Sequence, residues 1–238
     1  MIEEIKKILD KKKHFLLSYS GGLDSTVLLH LLLKLKKKIN IYFRAIHINH
    51  KLHIDSDAWS NHCKKECQKY DIPLIIENIN LDKKNNLESK ARSMRYQAIY
   101  KNVLPKEIIL TAHNLNDQCE TFLLAVKRGS GPKGLSSMAT YKNTGDIIHI
   151  RPLLNIDRDE IKKWAVENKL KWIEDHSNLD TYYDRNFLRQ KIIPILKERW
   201  PYFIKNCTRS AKLCCEQEKI LNDFSIPILK KKCYLMVR

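Results

Sequence analysis

Along its first half the chain switches between two hydrophobic periods. Phe15-Leu16-Leu17 is a short apolar run bounded by polar residues, as expected of a strand buried on both faces. Further runs of this kind cover Ile39–Ile48, Pro73–Ile79, Glu107–Ala112 and Ile147–Leu154. Between them lie helix-period segments, beginning with the leucine-rich run after Val27. The next are 57–70, with Ser56 placed to cap it, then 87–103, 116–126 and 157–168. Strands separated by helices predict βαβ units. The expected fold is α/β, with an open, mainly parallel five-stranded sheet covered by helices on both faces. In such sheets ligands bind at the carboxyl ends of the strands. From Asn186 onward the pattern is helical, over 186–197 and then about 202–222 after Pro201. The stretch 224–238 holds Pro227 and a lysine triplet and has no clear period. The expected division is an α/β domain over 1–199 and a helical extension with an irregular tail over 200–238.

Composition narrows the classes. With 43% hydrophobic and 30% charged residues, the chain has the make-up of a soluble globular protein. No apolar run approaches the roughly 20 residues of a membrane span. The acid-bearing amphipathic start, Met1 to Asp10, is unlike a signal peptide, so the expectation is a cytoplasmic protein without membrane contact. Seven cysteines at irregular spacing do not form a disulfide framework. Cys63 and Cys67 lie four residues apart and Cys214 and Cys215 are adjacent, but no C-x-x-C pair supports a zinc site, and free thiols are expected. The net charge of +17 suits a polyanionic partner. Lysine-rich, glycine-poor composition is also what an AT-rich genome produces, so the charge alone does not decide the matter.

The stretch Ser18-Tyr-Ser-Gly-Gly-Leu-Asp-Ser25 links the first strand to the first long helix. Gly21 and Gly22 allow close approach of an anion, the helix start offers N–H groups, and Ser20, Ser25 and Thr26 offer hydroxyls. Asp24 beside a phosphate makes sense when a divalent cation lies between them. No lysine follows Gly22, so the P-loop pattern G-x-x-x-x-G-K-(S/T) is excluded. Other candidate positions follow in order. His47 and Asn49 share one face of the second strand and His50 falls past its end; they read either as backbone-bonded histidines or as ribose and base contacts. Glu88, Arg92, Arg95 and Tyr96 share a helix face, either as a surface ion pair or as a phosphate and base platform. His113, Asp117 and Glu120 bring an imidazole and two carboxylates to a strand end, a set suited to metal and general-base work. Lys127 and Arg128 flank a glycine-rich loop that reads either as a mobile anion-binding loop or as a flexible surface turn. Trp172 to Asn178, with Arg185, Asn186 and Arg189, makes a polar segment that grips substrate or braces the site.

Ser20-Gly-Gly-Leu-Asp-Ser25 resembles the pyrophosphate-binding loop of the ATP pyrophosphatases. With Ala91-Arg-x-x-Arg-Tyr96, Ala112-His-x-x-x-Asp-Gln-Cys-Glu-Thr121, Arg128-Gly-Ser-Gly-Pro-x-Gly-Leu135, Arg151-Pro-Leu-Leu154, Glu174-Asp-x-Ser-Asn178 and Arg185-Asn-Phe-Leu-Arg189, the order is similar to that of the tRNA(Ile)-lysidine synthases. The resemblance runs from about residue 14 to about 220. It implies an adenine nucleotide alpha hydrolase-like fold, ATP and Mg2+ as cofactors, and free L-lysine and the CAU-anticodon tRNA(Ile) as partners. The implied reaction adenylates C2–O of the wobble cytidine, and the lysine amine then displaces AMP. Carried over, Ser20, Gly21, Gly22, Leu23, Asp24, Ser25 and His47 bind nucleotide. Asp24 and Asp117 hold metal, and Asp24, His113, Asp117 and Glu120 are catalytic, with His113 or Glu120 as base. Arg92, Arg95, Tyr96, Lys127, Arg128, Arg185, Asn186 and Arg189 hold substrate. Two departures stand out. Asn116 replaces an aspartate usual in the family, and the resemblance does not extend into C-terminal domains that help grip tRNA. The rivals are a tRNA thiolase, for which paired C-x-x-C motifs are missing, and a non-catalytic RNA-binding remnant.

Overall fold

The computed structural model describes the chain except residues 52, 80–86, 176–179 and 237–238, with backbone alone at 87–89, 222 and 224–236. Two compact units result, and neither is continuous in sequence: Met1–Asn114 with Thr140–Asp175, and Leu115–Ala139 with His176–Arg238.

The first unit is built on β1 (His14–Ser18), β2 (Tyr42–Asn49), β3 (Leu74–Asn78), β4 (Ile108–Leu110), β5 (Tyr141–Thr144) and β6 (Ile147–Ile150). Their order is β3-β2-β1-β4-β6-β5. All neighbours are parallel except β5, which pairs antiparallel with β6. The sheet thus has six strands, not five. Tyr141-Lys-Asn-Thr144 is exposed along its whole length, so it carries no apolar alternation from which a strand is read. A turn with Gly145 at φ 58° closes the hairpin.

Strand alternation divides the core as the pleat requires. Phe15 and Leu17 enter one cluster with α1 (Ile2–Leu9), α2 (Leu23–Lys36), α3 (Ser56–Lys69) and α7 (Arg158–Glu167). Leu16 enters another, with Ile46, Ile99 and Ile109, under α4 (Leu87–Lys101). α2 is buried on most sides, which explains its leucine-rich run. Asp57 was expected to open α3 behind a Ser56 cap. Instead the helix begins at Ser56, whose Oγ donates to His53 O at 2.6 Å, after Asp55.

The second unit contains α5 (Leu115–Lys127), α6 (Pro132–Leu135), α8 (Asp184–Phe187), α9 (Ile193–Arg199) and α10 (Phe203–Met236). Leu115, Cys119, Ile193, Ile204 and Cys207 form its core. The single helix expected over 186–197 is broken by a wide π turn at Leu188–Ile192. Pro194 has no N–H to return to the preceding turn, and the backbone widens just before it. The stretch after Asn222 also differs from expectation: its backbone stays helical to Met236, consistent with the good helix formers around the lysine triplet.

Candidate active site

In the first unit β1 lies between β2 and β4, so the direction of strand order reverses beside it. A crevice at such a switch point is where open α/β sheets take ligands. The turns after β1 and β4 flank this place, since Leu17 is in register with Leu110.

The turn after β1 is held from within. Gly21 has φ 82°, and a Cβ there would stand 2.6 Å from Ile173 Cδ1 and 2.9 Å from Cys63 Sγ. Ile173 N donates to Gly21 O at 2.9 Å, so the segment beginning at Trp172 braces the loop. Its continuation, His176–Asn178, lies outside the described residues. Gly22 differs: it has φ −75° and caps α2, and an added Cβ would meet only ordinary contacts, at 3.5 Å from Ser20 Oγ. The hydroxyls expected to face phosphate serve the turn itself. Ser25 Oγ donates to Gly22 O at 3.1 Å and Thr26 Oγ1 to Gly21 O at 3.2 Å, while Gly22 N donates to Ser20 Oγ at 3.3 Å. Leu23 is buried and Asp24 stands half-buried in the first turn of α2. We expect Gly21→Ala to cost about 2–3 kcal/mol, from the left-handed backbone plus overpacking, and Gly22→Ala to leave stability nearly unchanged. Urea unfolding midpoints of the two variants test this.

His47 takes the backbone-bonded alternative. It is buried, and its Nδ1 donates to Tyr19 O at 3.0 Å. It therefore fixes the chain leading into the loop. His50, past the strand end, accepts from Arg95 Nε at its Nε2 (3.3 Å), which puts its own proton on Nδ1; that atom is buried without a partner among the described residues. Arg92 lies over the Tyr96 ring at 5.3 Å, and the Tyr96 ring is 5.9 Å from that of His149. The Glu88 side chain lies outside the described residues.

After β4, Thr111 Oγ1 lies 2.9 Å from His113 Nδ1 and 2.8 Å from His149 Nε2. Arg151 Nη2 donates to His149 Nδ1 at 3.4 Å. Sequence reasoning missed His149: a lone histidine in an apolar strand gives no signal until the fold places it beside Thr111. Burial, then the positive charge of Arg151 with those of Lys142 and Arg92 behind it, pushes His149 down to about 3. Burial and Arg95 push His50 down to about 4. Both imidazoles stay neutral in the fold and take up a proton on unfolding once pH falls below 6.5. The unfolded chain then binds more protons, so stability falls with falling pH, by about 1.4 kcal/mol per pH unit for each histidine. Unfolding free energies between about pH 7 and pH 5 are expected to show this slope, reduced in His149→Gln.

In the second unit, Glu120 is wholly buried and both its oxygens are occupied. Arg185 Nε donates to Oε2 at 2.9 Å; Arg189 donates from Nε to Oε1 at 2.7 Å and from Nη2 to Oε2 at 3.0 Å. Arg189 Nη2 also donates to Asp117 Oδ1 at 3.1 Å. Both carboxylate oxygens are thus committed to charge-assisted hydrogen bonds. Glu120 ties Arg185 and Arg189 to α5. Lys127 Nζ donates to Asp184 Oδ2 at 2.6 Å and Asn186 Nδ2 to Asp180 O at 2.9 Å, while Arg128 is exposed. The glycine-rich loop forms α6 and is tied back by Gln118, whose amide exchanges bonds of 2.8 and 3.0 Å with Met138. Cys119 is core packing: its bond to Cys207, then burial, hold its thiol well above the usual range. Burial likewise raises Cys63 and Cys67. Among the described residues no three or more His, Cys, Asp or Glu side chains converge on one metal position.

A parallel sheet with a glycine turn and a helix start at its switch point defines a nucleotide-binding α/β protein without the P-loop lysine. The family model for the PP-loop domain matches residues 1–196, and the chain belongs to this family. It is 52% identical over 237 residues to the tRNA(Ile)-lysidine synthase of Buchnera aphidicola subsp. Acyrthosiphon pisum, covering 98% of this chain and 53% of that protein. To the synthase of the Baizongia pistaciae subspecies it is 60% identical, covering 88% and 49%. To that of Escherichia coli O157:H7 it is 48% identical, covering 89% and 49%. The chain thus spans about half the length of these relatives. Among solved structures, the U34-tRNA thiolase NcsA from Methanococcus maripaludis superposes with a TM-score of 0.74 at 21% identity, covering 90% of this chain and 77% of that one. At that identity the likeness is one of fold. No helix among the described residues is long and apolar enough to cross a membrane.

Proposed function

We propose that this chain carries the adenylating core of a tRNA(Ile)-lysidine synthase. The observation that carries the reading is the Gly21–Gly22 turn at the β1/β4 switch point with Asp24 in the first turn of α2. The names of its relatives at 48–60% identity supply the acceptor and the nucleophile. C2–O of the wobble cytidine attacks the α-phosphorus of ATP and pyrophosphate leaves. The neutral ε-amine of lysine then attacks C2, AMP departs with the C–O electron pair, and the amine proton goes to solvent.

The loop N–H groups and the helix start receive the departing pyrophosphate. His47, bonded to Tyr19 O, holds the chain that leads into this loop. Arg92, Arg95 and Tyr96 offer charge and a ring to phosphate and base. Magnesium, when bound, neutralises phosphate charge; it commonly takes one or two carboxylates with the phosphates themselves. Asp24, in the first turn of α2, and Asp117, whose Oδ1 accepts from Arg189, are the carboxylates that would hold it. The Glu120–Arg185–Arg189 cluster keeps Asp117 in place, with Asn186, Lys127 and Arg128 beside it in the sequence of the substrate-handling segments.

Purified chain given ATP, Mg2+, labelled lysine and unmodified tRNA(Ile) with a CAU anticodon is expected to release AMP and pyrophosphate and to label the tRNA. Sulfur incorporation without lysine dependence would assign the chain to the thiolases instead. Tight tRNA binding without AMP release would make it a remnant.

A further inference from the structure

Arg151, His149, Thr111 and His113 form one hydrogen-bonded chain, and its first member sets the direction of every bond. A guanidinium has only donors, so Arg151 Nη2 makes His149 Nδ1 an acceptor across their 3.4 Å contact. His149 is 2% exposed, and the positive groups around it are Arg151, Lys142 and Arg92. It is therefore neutral, and its single proton sits on Nε2. That N–H donates to Thr111 Oγ1 at 2.8 Å. Thr111 has one hydroxyl proton that needs an acceptor; its two bonding neighbours are His149 Nε2, which is the donor, and His113 Nδ1 at 2.9 Å, so the proton goes to His113 Nδ1. His113 then accepts at Nδ1. The reverse direction would set the His149 Nδ1–H against an Arg151 N–H, two donors with no acceptor between them.

We propose that Arg151, His149 and Thr111 are positioning residues that fix His113 as the neutral tautomer with its proton on Nε2, so that His113 meets the nucleotide as a hydrogen-bond donor and not as a base. The tautomer stands on geometry alone; its use toward an anionic oxygen of ATP rests on the reading under Proposed function. In that role the imidazole donates to charge that grows on a phosphate oxygen during attack at the α-phosphorus, and no proton changes owner at His113. The lysine proton must leave by another route, which agrees with the occupied state of Glu120.

Nitrogen-15 spectra of the histidine rings read the tautomer directly. In the wild-type chain and in Thr111→Ser, His113 is expected to show a bare Nδ1 and a protonated Nε2. In Thr111→Val, which keeps the shape and loses the hydroxyl, that preference is expected to disappear. A wild-type His113 protonated on Nδ1, or a spectrum indifferent to Thr111→Val, would overturn the assignment. AMP release separates donor from base. His113→Gln keeps an N–H near the position of Nε2 and accepts no proton there. It is expected to retain activity within about tenfold of wild type while His113→Leu loses far more. Equal loss in both overturns the donor role. If the tautomer is as stated but the wild-type chain releases no AMP, the nucleotide reading fails and the tautomer assignment stands.

Discussion

Replacing Arg185 and Arg189 together by methionine is expected to destabilise the second unit by about 3–5 kcal/mol, more than removing Glu120 between them. The asymmetry follows from exposure. Glu120 is 0% exposed, whereas the two arginines are 23% and 26% exposed. Without its partners the carboxylate is a buried charge beyond the reach of water, and the full penalty falls on the fold. Methionine keeps much of the aliphatic volume, so the loss reports charge and not packing. In Glu120→Gln the guanidiniums turn toward solvent and an amide oxygen still accepts, so the expected cost is about 1–2 kcal/mol. Combining both arginine changes with Glu120→Leu removes the fully buried carboxylate with both guanidiniums and leaves the partly exposed Asp117 carboxylate. That variant is expected to regain most of the lost stability, as apolar replacements of buried ion clusters do. The midpoints of urea unfolding for the three variants test the ordering. A Glu120→Gln loss equal to that of the arginine pair would mean that the carboxylate is not sealed from water.

The same cluster marks where sequence reasoning reached its limit. Strand and helix periods were enough for the parallel core, because α2 and the central strands are apolar on the faces that the sheet buries. They missed β5, which has no buried face to write a period into the sequence. The glycine loop and its place in the fold were legible, since a Gly-Gly turn between a buried strand and a leucine-rich helix has few structural meanings. The partners of its side chains were not. Ser25 and Thr26 bond the loop's own carbonyls, His47 bonds Tyr19, and Glu120 is claimed by arginines more than sixty residues downstream. Polar residues in a motif have their type fixed by chemistry, but which of them faces a ligand and which braces its neighbour depends on contacts distant in sequence. His149 and Thr111 illustrate the point from the other side, as they carry no motif and still determine how His113 is protonated.

Asp24 provides the sharpest test of the site, because the sign of its effect depends on whether a cation is present. It stands in the first turn of α2, where the helix favours negative charge by about 0.3–1 kcal/mol. Asp24→Asn is expected to lose that contribution of the helix start. Toward ATP the carboxylate has two opposed effects. With no metal it repels phosphate at the same helix start, so Asp24→Asn is expected to bind metal-free ATP as tightly as wild type, or more tightly. With magnesium the carboxylate becomes a ligand, and its loss weakens binding and lowers AMP release by about 10²–10³-fold, the size of effect produced by removing one preorganised electrostatic contact. Titrating ATP into both proteins with and without magnesium reads the two signs separately. A variant weakened equally in both conditions would make Asp24 a support of the loop like Ser25. A crossing of the two effects identifies it as the carboxylate that lets a helix start accept a metal-bound polyphosphate without the lysine that a P-loop uses.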